Sequence, residues 1–75
     1  MSLLLPQSRD GVVHSIRLLD IHGDRYVDLA LSLADYGSAP VTGRIGATEC
    51  PPDLKVGDRV SVHFTMGVMT RITRL

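Results

Sequence analysis

The chain has 75 residues, enough for one domain, and a domain of this size buries only roughly 60% of its unfolded surface, so the core has to be compact. A hydrophobic fraction of 44% against 21% charged residues excludes a disordered chain, and eight basic residues balanced by eight acidic ones leave no electrostatic footprint for a polyanion such as duplex DNA. The single cysteine, Cys50, excludes an internal disulfide framework and fits a cytoplasmic setting, and no apolar run approaches the roughly 18 residues of a membrane span.

Met1 to Leu5 is short and uncharged, unlike a secretory signal, and residues 1–10 read as a flexible lead-in. The barrel domain is expected over 11–75. Its first strand runs from about Gly11 to Leu19 with imperfect alternation: Val12, Ile16 and Leu18 share a parity with His14, while Val13 and Leu19 fall on the other. A bulge reconciles the two, as expected where one long strand serves two sides of a barrel.

Asp20 to Asp24 reads as a hairpin loop with a positive φ at Gly23. The second strand is cleaner. Val27, Leu29, Leu31 and Leu33 form an apolar file opposed by Tyr26, Asp28, Ala30, Ser32 and Ala34. Asp35 to Ala39 forms the next loop, and Pro40 opens a third strand with Val41, Gly43, Ile45 and Ala47 on one face. Placing Leu33 opposite Val41 aligns the two inner files, sets Ala30 opposite Arg44, and leaves Asp28 diagonal to Arg44 within reach of an ion pair. Gly43 and Gly46 leave room for another backbone or a ligand to approach.

The connector Thr48 to Gly57 contains Pro51 and Pro52, which rule out a long helix but allow one short turn at Pro52-Asp53-Leu54-Lys55. Gly57-Asp58 then turns into a strictly alternating strand with Val60, Val62 and Phe64 on one side and Arg59, Ser61 and His63 on the other. Thr65-Met66-Gly67 leads to a last strand where Val68, Thr70 and Ile72 alternate with Met69, Arg71 and Thr73. The predicted class is therefore all-β, a five-stranded antiparallel oligonucleotide/oligosaccharide-binding (OB) barrel, with an SH3-like barrel as the alternative. The connector after the third strand favours the first, because OB barrels place their bottom plug there.

With these residues in place, the chain resembles the OB-fold domain of the acyl-CoA-associated family known as domain of unknown function thirty-five, whose members accompany thiolase-like enzymes. The resemblance rests on Gly11-Val12-Val13-His14-Ser15, on Tyr26-Val27-Asp28-Leu29-Ala30-Leu31, and on the run from Gly46 to Val62 around Cys50-Pro51-Pro52-Asp53-Leu54-Lys55-Val56-Gly57-Asp58-Arg59-Val60. It implies a non-catalytic binding or scaffold module that docks on a thiolase or related acyl-CoA enzyme, with acyl-CoA as a ligand. Family members usually carry a zinc ribbon with two cysteine pairs ahead of the barrel; those cysteines are not in this sequence, so no zinc is carried over.

Tyr26, Arg44 and Arg59 are the candidate ligand residues, because an arginine fork suits CoA phosphates and a tyrosine can stack on adenine. The same residues also read as a solvated Asp28–Arg44 pair and a rim tyrosine. A second functional reading is a single-stranded nucleic-acid binder, for which the chain is poorly equipped: Tyr26, Tyr36 and Phe64 are its aromatics, Phe64 belongs to the core, and the basic residues are dispersed. His14, His22 and His63 lack metal-ligand spacing, with His63 expected exposed and His14 partly buried. Cys50 reads as a small buried hydrophobe, Met66 and Met69 as gap-fillers beside a turn, and Asp20 and Asp24 as turn residues, so no catalytic machinery is expected. Open strand edges leave room for self-association.

Overall fold

The computed structural model describes residues 5–34 and 39–75. It holds five strands, β1 (Gln7–Ile21), β2 (Asp24–Leu33), β3 (Val41–Gly46), β4 (Arg59–Thr65) and β5 (Val68–Arg74), with a single 3₁₀ turn at Ala47–Glu49. All strand pairs are antiparallel, in the order β3-β2-β1-β4-β5. The protein is thus all-β, a barrel-like sheet that curls without closing. Among the described residues, no helix is long and apolar enough to cross a membrane.

The sheet is organised around β1. Its first half, Gln7 to Val12, pairs with β4, and its second half, Gly11 to Ile21, pairs with β2. Strand pairing therefore begins at Gln7 rather than Gly11, so residues 7–10 are part of the sheet instead of a lead-in; Met1 to Leu4 lie outside the described residues. The expected bulge is present, as a register shift between Val13 and Ser15 that leaves His14 without a cross-strand partner. It reverses the strand's parity, so Gly11 and Val13 point inward before it and Ile16 points inward after it. His14 itself is exposed, not partly buried, because a bulged residue is lifted out of the pleat.

The β1–β2 and β4–β5 hairpins are closed by two-residue turns. His22 and Gly23 have φ of 52° and 85°, and Met66 and Gly67 have φ of 51° and 79°, the doubly positive pattern whose twist matches that of the flanking strands. The first loop is consequently shorter than the five residues expected, since Ile21 and Asp24 already face each other as a pair. Of the loop between β2 and β3, residues 35–38, Tyr36 among them, lie outside the described residues.

The inner file of β2 is as the alternation implied: Val27, Leu29, Leu31 and Leu33 are all buried, and they meet Val60, Val62 and Phe64 of β4 in one core with Val13, Ile45, Met69 and Ile72. The β2–β3 register differs by two residues from the expected one, with Leu31 opposite Val41, Leu29 opposite Gly43 and Val27 opposite Ile45. Leu33 instead faces Gly11 of β1. In β5 a second register shift, between His63 and Phe64 on the partner strand, leaves Thr70 unpaired and turns Met69 and Ile72 inward together, so Val68 and Thr70 are exposed rather than sharing a face with Ile72.

The two end strands face each other across a seam without a hydrogen-bonded ladder. Met69 of β5 fills it: a Cβ at Gly43 would lie 3.0 Å from the Met69 Cβ, so only a glycine lets the side chain settle there. The connector closes the bottom of the core. Cys50 and Leu54 are buried in it, and the 3₁₀ turn precedes the two prolines rather than following them, with Pro52 and Asp53 forming a plain turn.

Arg74 fastens this plug to the end of β5. Its Nη1 donates to Asp53 Oδ1 at 2.9 Å and its Nη2 to Asp58 Oδ2 at 3.1 Å, while Asp58 Oδ2 also accepts the Lys55 amide at 2.9 Å. Asp53 is held below the usual carboxylate range chiefly by the Arg74 hydrogen bond, and Asp58 chiefly by the Lys55 amide with Arg74 adding to it. Because both folded values are lowered, their stabilisation is complete above the unfolded carboxylate value near 4 and is lost as pH falls through the folded values. Thermal melts from pH 7 to pH 2 should show the midpoint falling across that window, and Arg74→Gln should flatten the fall while lowering the midpoint at pH 7. Parallel curves for the two proteins would refute this role for Arg74.

Candidate functional site

Three adjacent strands, β1, β2 and β3, present their solvent side as a set of cross-strand rows. Arg17, Asp28 and Arg44 form one row, Ser15, Ala30 and Thr42 the next, and Leu19, Tyr26 and Gly46 a third on the other flank. Ala30 contributes only a methyl group between longer neighbours, and the surface dips there into a shallow open depression of about 650 Å³ lined by Ser15, Arg17, Asp28, Ala30, Thr42 and Arg44, among others. The depression is a consequence of local sequence: the bulge at His14 turns Ser15 and Arg17 outward, and strict alternation in β2 turns Asp28 and Ala30 outward beside them.

Asp28 and Arg44 form the expected ion pair, directly opposite rather than diagonal because of the register. The contact is a two-pronged fork, Nε to Oδ1 at 2.7 Å and Nη2 to Oδ2 at 3.2 Å. The hydrogen bond to Arg44 holds the Asp28 carboxyl below its usual range, with further help from the charges of Arg44 and Arg17, and the Arg44 guanidinium is raised by the same contact. The Arg17 side chain makes no hydrogen bond or ion pair of its own among the described residues. Two guanidinium groups around one carboxylate leave this row with a surplus positive charge. Both arginines are exposed on an open surface, which makes them available to a ligand.

Of the residues singled out from the sequence, Tyr26 and Arg44 share this face, with Tyr26 half-buried one row from the ion pair. Arg59 does not join them. It stands at the start of β4 opposite Val12 and lines a separate hollow of about 290 Å³ with Leu33, Ala34 and Leu75, so the three residues do not form one site. Arg17, Ser15 and Thr42 were missed, although Arg17 could have been found by asking which β1 residue would oppose Asp28 once the bulge is placed.

The remaining candidates are dispersed. His22 is exposed in its turn, and His63 is half-buried rather than exposed because its Nδ1 lies 3.1 Å from Ser8 Oγ on β1. Cys50 is buried against the core, and burial pushes its thiol up, which keeps it protonated and apolar in behaviour. Met69 fills the seam as a core residue while Met66 is exposed at its turn. Among the described residues, no group of three or more His, Cys, Asp or Glu side chains is placed to hold a metal ion. Comparisons with known protein families, with curated proteins and with solved structures give no match to this chain.

Proposed function

We propose that this chain is a non-catalytic OB-type module that engages an acyl-CoA, or an acyl-CoA enzyme such as a thiolase-like partner, through the outer face of β1, β2 and β3. Two features support the OB reading over an SH3-like one: a long bent β1 shared by β2 and β4, and a plugging connector between β3 and β4 that buries Cys50 and Leu54. The observation that carries the ligand reading is the Arg17–Asp28–Arg44 row beside Tyr26, along a depression of about 650 Å³, within the range of small-molecule sites. Guanidinium groups recognise the phosphates of CoA and a tyrosine ring the adenine. Stacking a nucleic-acid strand needs several exposed rings; Phe64 is in the core and Tyr26 is the one aromatic on this face among the described residues.

Titrating acetyl-CoA against amide resonances tests the reading. Saturable shifts at Ser15, Asp28 and Thr42 are expected, with affinity lowered about tenfold in Arg17→Gln, the loss of one charge-assisted contact. No saturation at millimolar acetyl-CoA, together with tight and salt-sensitive binding of a single-stranded oligonucleotide, would replace this function with nucleic-acid binding.

A further inference from the structure

The opposite outer face, formed by β1, β4 and β5, carries a cluster that the acyl-CoA reading does not use. Across the strands, Ser8, His63 and Arg71 stand in one row, and Asp10, Ser61 and Thr73 in the next. Ser8, Ser61, His63, Arg71 and Thr73 line a depression of about 220 Å³. These side chains are brought together from both ends of the sequence, since Ser8 and His63 are 55 residues apart.

We propose that this cluster binds a single phosphoryl group, free or carried as a monoester. The donors are of the right kind and number. His63 Nδ1 and Ser8 Oγ lie 3.1 Å apart, and in the tautomer that accepts from Ser8 the ring proton sits on Nε2 and makes that nitrogen a donor. Arg71 uses Nε for Glu49 at 3.1 Å, which fixes the guanidinium while leaving its Nη groups without a partner among the described residues. The hydroxyls of Ser61 and Thr73 likewise have no hydrogen-bond partner among the described residues.

The depression is smaller than the roughly 300 Å³ at which drug-sized sites begin, so it suits one tetrahedral group and not a nucleotide. A sugar is disfavoured because no aromatic ring lines the depression to stack on it. A nucleophile-and-base reading of the Ser8–His63 pair is not favoured, because among the described residues no third group is hydrogen bonded to the other ring nitrogen to orient it. Glu49 beside Arg71 and Asp10 on the same face together outweigh the single positive charge of Arg71, so binding rests on the hydrogen-bond donors and is weak.

Amide and imidazole resonances followed at constant ionic strength, with chloride replaced by inorganic phosphate in one arm and by glycerol 3-phosphate in the other, decide the matter. The proposal requires saturable shifts at Ser8, Ser61, His63, Arg71 and Thr73, with binding read at these five residues about tenfold weaker in Arg71→Gln, about threefold weaker in Thr73→Val and the same in Arg17→Gln. Equal saturation in both arms assigns the site to the phosphoryl group itself; saturation by the ester alone assigns it to a phosphate carried on a larger molecule. Linear shifts in both arms, or shifts untouched in both variants while their spectra remain folded, overturn it. In the acetyl-CoA titration the other face is read at Ser15, Asp28 and Thr42, so the resonances that move distinguish the two outcomes.

Discussion

Phe64→Ala should leave the protein largely unfolded or within reach of unfolding at 25 °C. The ring is 1% exposed near the end of β4, between Gln7 of β1 and Met69 of β5, and is the largest fully buried side chain among the described residues. Truncating a buried phenylalanine costs about 3–5 kcal/mol, from lost transfer free energy and the cavity left behind. A chain of 75 residues has roughly 4–11 kcal/mol in total, so this one change consumes a large share of it. Urea denaturation followed by far-UV circular dichroism reads the effect as a lowered midpoint. A midpoint within experimental error of the parent would mean that Phe64 is not in the core and that the inner face of β4 has been misassigned.

Gly11→Ala is the second large effect, and its cause is space. A Cβ at this position would lie 2.9 Å from the carbonyl oxygen of Ser32 and 2.9 Å from Leu33 Cδ2. The leucine methyl can rotate away, but the oxygen belongs to the β2 backbone, so the β1–β2 ladder has to part where Gly11 faces Leu33. Overpacking of this kind costs about 1–3 kcal/mol. Gly46→Ala is the matched control, because its nearest neighbour is Thr48 Oγ1 at 3.9 Å and its φ of −64° suits any residue. That variant should be neutral or stabilising by about 0.4–1 kcal/mol, through reduced freedom of the unfolded chain. Equal midpoints for the two alanine variants would show that the contact at Gly11 does not govern the strand pairing.

Where alternation runs unbroken, the sequence determined the fold legibly. Val27, Leu29, Leu31 and Leu33 in β2, and Val60, Val62 and Phe64 in β4, all point inward as their period of two requires. The β2–β3 register was misjudged by two residues because a slip of two preserves every face, so apolar pattern alone does not separate Leu33 opposite Val41 from Leu31 opposite Val41. The rest was hidden by bulges. One at His14 reversed the second half of β1 and concealed Arg17; one at Thr70 placed Met69 beside Ile72 in the core. For the candidate face, Tyr26 and Arg44 followed from alternation, whereas Arg59 was grouped with them on residue type alone and stands elsewhere because β4 lies on the far side of β1.

The double duty of β1 also sets an order of events during synthesis. As the chain leaves the ribosome, β1, β2 and β3 can form a meander from near neighbours, but Gln7 must wait for Phe64. Until the last strands emerge, the front half of the first strand has no companion and its main-chain groups remain open to any passing partner. Completion of the fold is therefore a late, long-range step, and a chain halted before β4 would present a sticky half-sheet to chaperones and to its own copies.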